Sequence, residues 1–299
     1  MAGMEKSISS INKKIKEGNA VVLTEMEFIE EIQDGRKLNA SDIDVVTTAC
    51  CAETSGTAAM ISVPVTGRGV FTRAHRVWLN GVLGYPGPAP NERLGLVESL
   101  VFASQQVDDK ANNYNGAKLF LDILERKEIH AKCLSLEGDF YETTFHLDEI
   151  EFARMYIYNC FFNKLSPEDT TSSKTSHLKT IRGGSKILIN KAPGVVTGSG
   201  TGSAPEHRAL SLAADMFGMD PKDMEETETG IKNSIVLAIP VITEEVIEDL
   251  AACLMEKRGR KFENSIDIPE KAAAEYLKQY IQKGEFLLIS SDMYLTNWF

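Results

Sequence analysis

The sequence lacks several features that would assign it to whole classes of protein. It has no basic excess, because 32 lysines and arginines stand against 43 aspartates and glutamates, a formal net charge of −11. That balance disfavours nucleic acid as a partner, since a nucleic-acid-binding domain needs a basic face. Apolar stretches such as residues 235–242 are far shorter than the ~20 residues that span a bilayer. The N-terminal segment is polar and amphipathic, so no secretory signal and no membrane association are expected.

Cysteine is scarce and irregularly spaced. The chain has five cysteines, an odd number, and no CxxC motif, and no spacing of cysteine and histidine is typical of a zinc or iron–sulfur site. A secreted disulfide scaffold is therefore not indicated, and a reducing, cytoplasmic compartment fits better. With 299 residues, 43% of them hydrophobic and 25% charged, the chain suits one large globular domain or two modest ones.

The hydrophobic periodicity predicts interleaved helices and strands. Thr24 and Glu27 form a capping-box pattern that predicts a helix start. We expect helices at about 4–17, 115–125, 147–159, 243–257 and 269–283, besides the one that begins at Thr24, and strands at 20–23, 43–47, 129–135, 140–146, 186–190, 195–200, 233–241 and 286–290. These predict an α/β fold of mixed sheets with flanking helices. The polar stretch 164–178 is interpreted as a linker or exposed loop between two lobes, 1–165 and 166–299, within a single family domain.

The adjacent cysteines Cys50 and Cys51 are the first candidate for chemistry. They lie in the segment TTACCAETSG (47–56), predicted as a small-residue loop just after a buried strand. Backbone N–H groups in such a loop can lower the pKa of a thiol, and the thiolate is the nucleophile. The alternative is that the pair packs in a tight turn as small hydrophobic side chains.

The other cysteines are interpreted mainly as packing residues. Cys133 alternates with Ala131 and Ser135 on a predicted strand, and becomes a functional candidate only if the fold brings it near Cys51. Cys160 and Cys253 lie in apolar segments that we expect to be helical.

Two glycine-rich segments are candidates for ligand binding. In GYPGPAPNERLG (84–95), prolines and glycines fix the backbone beside Asn91, Glu92 and Arg93, and Arg93 could hold a carboxylate through two parallel hydrogen bonds. A surface loop with solvated charges is the alternative. In GVVTGSGTGSAPE (194–206), the glycines lack the spacing of a nucleotide fingerprint and no Walker lysine follows, so a turn or a substrate-lining loop is favoured over a phosphate site.

Four segments, taken together and in order, resemble a known family. They are KSISSINKKIKEGNAVVLT, DIDVVTTACCAETSGTAAM, VWLNGVLGYPGPAPNERLG and GGSKILINKAPGVVTGSGTGSAPEHRALSLAADMFGMDP, followed by NSIVLAIPVITEEVIEDL. The sequence resembles the archaeal and bacterial homocysteine biosynthesis family, whose assigned activity is that of an L-aspartate semialdehyde sulfurtransferase. The methanogen branch of that family is known as a methanogenesis marker protein.

The resemblance implies a persulfide mechanism. Cys51, or its neighbour Cys50, would carry sulfur as a persulfide and deliver it to the aldehyde carbon of aspartate semialdehyde, and Cys133 would take part in the disulfide step that follows. From the residues themselves, we expect Thr47, Thr48 and Ser55 to line the substrate site and Arg93, with Asn91 and Glu92, to hold the amino-acid end of the substrate. No firmly bound cofactor and no metal are expected, and electrons would come from an external ferredoxin-type donor protein.

The chain departs from the family pattern at the doubled cysteine, and it has no CBS pair and no cluster-binding cysteines after residue 250. Two other functions therefore stay open. One is a sulfurtransferase with another acceptor, and the other is a sulfur carrier or assembly factor that hands persulfide sulfur to a partner protein. The sequence also leaves open whether the chain forms a homo-oligomer.

Overall fold

The computed structural model describes residues 6–107, 113–160, 180–201, 209–228, 230–260 and 268–289. Within these residues the protein is a mixed α/β fold, which confirms the predicted class. The helices are α1 (Ile8–Lys16), α2 (Glu25–Gln33), α3 (Gly116–Leu124), α4 (Glu244–Arg260) and α5 (Ile268–Gln282). The strands are β1 (Val22–Thr24), β2 (Val45–Glu53), β3 (Ser55–Pro64), β4 (Ala74–Leu79), β5 (Val82–Pro86), β6 (Leu96–Phe102), β7 (Ile129–Ser135), β8 (Phe140–Phe145), β9 (Ala153–Cys160), β10 (Lys186–Ile189), β11 (Ala192–Ser199), β12 (Leu210–Asp215), β13 (Met224–Glu226) and β14 (Ile231–Pro240).

The strands that the structure describes form one sheet. Its order is β1-β2-β14-β10-β11-β12-β9-β3-β6-β5-β4-β7-β8, with β13 added beside β14. β1 and β2 pair in parallel because α2 connects them as a crossover, and the other neighbours are antiparallel. Since β2 pairs with β14 and β9 with β12, strands from both predicted lobes share this sheet. The predicted linker at 164–178 lies outside the described residues.

Two hydrophobic clusters cover the sheet. The larger one contains α2, α3 and most strands, whereas the smaller one contains α1, α5 and one face of β1, β2, β10 and β14. On β2, Val46 belongs to the larger cluster while Val45 and Ala49 belong to the smaller one. This alternation follows from the two-residue period of a strand, and it fixes which way the cysteines further along β2 point.

Several local predictions are confirmed. Ile11 and Ile15 form the buried face of α1, and the capping box of Thr24 and Glu27 begins α2. The hairpin of β7 and β8 has the predicted position. In the part of the chain that the structure describes, no helix is both long and apolar enough to cross a membrane.

The predicted helix at 147–159 is wrong. Residues Ala153–Cys160 form β9, which lies between β3 and β12 in the sheet. Every second residue of β9, at Ala153, Met155 and Ile157, is buried, which is the period of a strand. The apolar content of the sequence alone could not distinguish this period from that of a helix. Cys160 therefore lies on a strand, and only Cys253 lies on a helix, α4. Of the predicted strand at 286–290, the described residues show an isolated bridge between Ser185 and Ile289.

The hairpin of β10 and β11 is confirmed, but its turn lies one residue earlier than KAPG. Asn190 and Lys191 form the turn, with φ angles of 50° and 69°. Two consecutive positive φ angles are typical of a type I′ turn, which suits the right-handed twist of the two strands. Asparagine tolerates this left-handed backbone better than most residues, which explains its place here.

Candidate functional site

Cys50 and Cys51 lie in a strand, so the predicted loop at 47–56 is wrong. β2 extends to Glu53 and pairs with β14 along its whole length, from Val45 opposite Pro240 to Glu53 opposite Lys232. The chain then passes into β3, which begins at Ser55, with only Thr54 between the two strands. The partner strand comes from the far end of the sequence, so nothing near the cysteines could indicate it.

The two cysteines point to opposite faces of the sheet, as consecutive strand residues must. Cys50 is 7% exposed and lies on the face of the larger cluster, next to Cys160. Burial raises the pKa of the Cys160 thiol well above its usual range, and the neighbouring Cys50 adds to the effect. Cys51 is half-buried and lies on the other face, which α5 covers. Cys50 is therefore a core residue, whereas Cys51 is partly accessible.

Cys51 lines a cleft of about 550 Å³. The cleft is formed by the end of β2, by β13 and β14, and by the first turn of α5, with Glu53, Asp223, Lys232, Asn233 and Ser234 among its lining residues. This volume lies within the range of small-molecule sites, roughly 300–1,000 Å³. A cysteine at the wall of such a cleft can meet a small substrate without unfolding of the strand.

The cleft carries charges of both signs. Lys232 pairs with Glu225 at 2.7 Å, and Asp223 lies 3.5 Å from the ammonium group of Lys191. Burial raises the pKa of the Asp223 carboxyl, and the nearby Lys191 only partly offsets that effect. Lys222 adds an exposed ammonium group to the wall. Neighbouring anionic and cationic groups suit a ligand that carries both charges, as an amino acid does.

α5 fixes the Cys51 segment from the outside of the sheet. The N–H of Cys51 donates to Oε1 of Glu270 at 3.3 Å, and the hydroxyl of Thr47 donates to the carbonyl of Ala274 at 3.0 Å. β1 pairs with β2 only as far as Thr47, so α5 supplies polar contacts where that strand neighbour ends. Sequence reasoning missed Glu270, which is 0% exposed, because it lies 219 residues from Cys51 along the chain.

The predicted substrate residues of β2 and β3 have structural contacts. Thr47 is 0% exposed and holds α5, whereas the hydroxyl of Thr48 donates to the carboxylate of Glu25 in the first turn of α2. Ser55 begins β3 opposite Asn159 of β9. Thr47 and Thr48 are not among the residues that line the cleft.

Asn91, Glu92 and Arg93 lie in a short 3₁₀ turn, Asn91–Leu94, and none of them lines the cleft. The side-chain amide of Asn91 donates to Glu98, and Glu92 accepts the N–H of Ala74 at 3.0 Å. Arg93 is exposed. The structure therefore does not bring the predicted carboxylate clamp together with Cys51.

Cys133 lies apart from the cleft as well. It is 0% exposed on β7, opposite Val77 of β4 and Tyr141 of β8. β2 and β7 are each second from opposite ends of the strand order. Burial raises the pKa of the Cys133 thiol to about 11, with a further contribution from the charge of Glu92. In this conformation Cys133 is a core residue.

A buried polar network, which sequence reasoning missed, supports β14 behind the cleft. The side-chain amide of Asn190 donates to Oδ1 of Asn233 at 2.8 Å, and Oδ1 of Asn190 accepts the N–H of Ser234 at 2.9 Å. Asn233 in turn donates to the hydroxyl of Thr54 at 2.8 Å. The network joins the β10–β11 turn to Thr54, the residue between β2 and β3, and so supports the register of β14 beside β2.

Among the described residues, no group of three or more His, Cys, Asp or Glu side chains is arranged to hold a metal ion. The glycine-rich segment 194–206 lies partly in β11, whose end is Ser199, and its residues from 202 onward are outside the described part of the chain.

Comparison with known proteins gives some relatives that are uncharacterized and some that are named as sulfurtransferases. An uncharacterized protein of Methanothermobacter thermautotrophicus is 32% identical, over 83% of this chain and 65% of the relative. The L-aspartate semialdehyde sulfurtransferases of Methanosarcina acetivorans and Methanocaldococcus jannaschii are 24% and 25% identical, over 83% and 82% of this chain and 56% of each relative. The chain thus spans less than two thirds of the length of these relatives. No solved structure matches.

A family model described as "Homocysteine biosynthesis enzyme, sulfur-incorporation" matches residues 20–175 and 173–256. The match includes β2 with both cysteines, as well as β13 and β14 on the opposite side of the cleft. α5, which carries Glu270, lies beyond the matched residues. Since the model covers most of the chain, the protein belongs to the family of homocysteine biosynthesis enzymes that act in sulfur incorporation.

Proposed function

We propose that the protein is a sulfurtransferase that puts sulfur onto the aldehyde carbon of L-aspartate semialdehyde, with Cys51 carrying the sulfur as a persulfide. The observation that carries the proposal is the position of Cys51, half-buried at the wall of a 550 Å³ cleft with charges of both signs. Family membership and the names of the two sulfurtransferase relatives support the reaction class. Cys50 is assigned a packing role, because its side chain lies on the core face.

In the proposed reaction hydrogen sulfide first attacks a Cys51–Cys133 disulfide, so that the persulfide forms on Cys51 while Cys133 leaves as the thiol. The terminal sulfur of this persulfide then adds to the aldehyde carbon. A carbon–sulfur bond forms, the carbonyl electron pair moves onto oxygen, and a proton from solvent neutralises that oxygen. The overall conversion of aldehyde and hydrogen sulfide into thiol and water takes up two electrons and two protons. We assign these electrons to a separate ferredoxin-type protein. The ammonium and carboxylate groups of the substrate are assigned to the charged residues of the cleft, among them Asp223 and Lys222.

Cys133 keeps its proposed role as the second cysteine, which attacks Cys51 and forms a disulfide as the product leaves. That step requires a conformational change, because Cys133 is fully buried on β7 and does not line the cleft. Disulfide bonding needs Cα atoms within about 7 Å of each other. Peptide mapping after mild oxidation should show a Cys51–Cys133 link if the two approach during turnover, and its absence under turnover conditions would remove Cys133 from the mechanism.

Three single substitutions test the role of Cys51. The chain would first be oxidised, so that Cys51 is held in a disulfide that sulfide can attack, and then incubated with sulfide for peptide mapping. Aspartate semialdehyde and a low-potential reductant would follow, and homocysteine would be measured by mass spectrometry. Cys51→Ser should abolish both the extra sulfur atom on its peptide and the product. Cys50→Ser, the adjacent cysteine on the other face, and Cys253→Ser on α4 should keep both. Wild-type sulfur transfer by Cys51→Ser would refute the proposal.

The two other functions give different results in the same assay. If Cys51 takes up sulfur but releases it only when a second protein is added, the chain is a sulfur carrier. If sulfur leaves to another small aldehyde faster than to aspartate semialdehyde, the reaction class holds and the acceptor is different.

A further inference from the structure

Ser234 lies directly across from Cys51 in the pairing of β2 with β14. Both backbone groups of Ser234 bond to Asn190: its N–H donates to Oδ1 at 2.9 Å, and its carbonyl accepts the N–H at 2.8 Å. The N–H of Cys51 points to Glu270. Since both residues turn their backbone groups to other partners, they form a non-hydrogen-bonded pair of the antiparallel ladder. In such pairs the Cα atoms are about 4.5 Å apart and the side chains are closest.

The side chains of Ser234 and Cys51 lie on the same face of the sheet. Opposed residues of a ladder share a face, and both residues line the cleft. Ser234 is only 4% exposed, and it lies at the wall of the cleft. A hydroxyl at this position can donate a hydrogen bond to an anionic sulfur on the same face of the sheet.

We propose that the hydroxyl of Ser234 donates a hydrogen bond to the anionic sulfur on Cys51 and is a catalytic residue of the sulfur transfer. The proposal rests on the proposed function, because it takes Cys51 as the nucleophile. The proton that leaves the Cys51 thiol goes to solvent, and Ser234 keeps its own proton throughout. A hydroxyl donor stabilises the charged form of sulfur and leaves its lone pairs available for attack.

Other charged groups near the cleft must be held constant in any test. Glu53, Asp223, Glu225, Lys222 and Lys232 line the same cleft. Glu270 lies against the backbone of Cys51. A substitution at Ser234 leaves all these charges in place, so a change in Cys51 reactivity reports the hydroxyl alone.

The experiment compares Ser234→Thr with Ser234→Val in the full chain. The two side chains have nearly the same volume and differ in one hydroxyl, and both are β-branched residues that suit a strand. Alkylation of Cys51 by iodoacetamide would be followed against pH by peptide mapping, without aldehyde or sulfide. Threonine should keep the wild-type rate, whereas valine should react about tenfold more slowly near neutral pH, with its midpoint about one unit higher.

Two controls separate the hydroxyl effect from packing. Ser62→Ala removes another buried serine hydroxyl, on β3 outside the cleft, and should leave the Cys51 rate unchanged. Circular dichroism would confirm folding, and Ser234→Ala replaces the valine variant if that one does not fold. The proposal is overturned if the valine or alanine variant is alkylated at the wild-type rate, or if the threonine variant is alkylated as slowly as the valine variant. Because alkylation uses no substrate, this result is independent of whether the chain transfers sulfur to aspartate semialdehyde.

Discussion

Replacement of Asn190 by alanine is the sharpest test of how the fold supports Cys51. Asn190 is 0% exposed and occupies the β10–β11 turn at a φ of 50°. Its side chain bonds to both Asn233 and the N–H of Ser234. Alanine would remove the hydrogen bonds to Oδ1 of Asn233 and to the N–H of Ser234 and leave the backbone otherwise unchanged.

The expected loss follows from these contacts. Each buried group left without a partner costs about 1–3 kcal/mol. Alanine at a positive φ adds about 1–2 kcal/mol relative to residues that tolerate it. We therefore expect Asn190→Ala to lower the free energy of unfolding by roughly 3–8 kcal/mol. Asn190→Gly loses the same hydrogen bonds without the backbone strain, so it should be less destabilising than alanine.

The measurement is urea unfolding followed by circular dichroism. Lys191→Ala is the matched control, because Lys191 is the next turn residue, at a φ of 69°, and its ion pair with Asp220 is partly exposed. Such a pair contributes about 1 kcal/mol or less. If Asn190→Ala is no more destabilising than Lys191→Ala, the network does not hold β14 in the register that places Ser234 opposite Cys51.

Two further predictions concern buried carboxylates. Glu270→Ala should cost about 1–3 kcal/mol, because the N–H of Cys51 loses its acceptor, while Glu270→Gln keeps an acceptor oxygen and should cost less; equal losses in urea unfolding would contradict the contact. Asp44 is 1% exposed; burial alone would raise its pKa, but hydrogen bonds from two lysines and the N–H of Val21 outweigh burial and lower it. A lowered pKa stabilises the fold above the unfolded-state value of about 4, and that stability is lost as pH falls through the folded-state pKa. Asp44→Asn should therefore be less stable than wild type at pH 7, with a gap that closes in acid; a gap that is constant from pH 7 to 3 would contradict the ion pairs.

The family could be recognised from ordered sequence segments, but the site could not. The sequence predicted Cys51 as the nucleophile and a loop around it. Cys51 does line the observed cleft, but the segment around it is a strand. The loop prediction failed because small residues such as Ala49 and Cys50 are compatible with a strand once a partner is present. That partner, β14, contributes Asn233 and Ser234 to the cleft, and neither was a candidate.

The sequence by itself determined the features that depend on neighbours along the chain. The capping box at Thr24, the hairpin of β7 and β8 and the first turn of α5 follow from residues a few positions apart. Only the tertiary structure decided that Cys50 faces the core and Cys51 the cleft, and that Ser234 and Glu270 flank Cys51. The physical reason is that strand pairing joins segments that are distant in sequence, and a shift of register by one residue would exchange the two faces of β2.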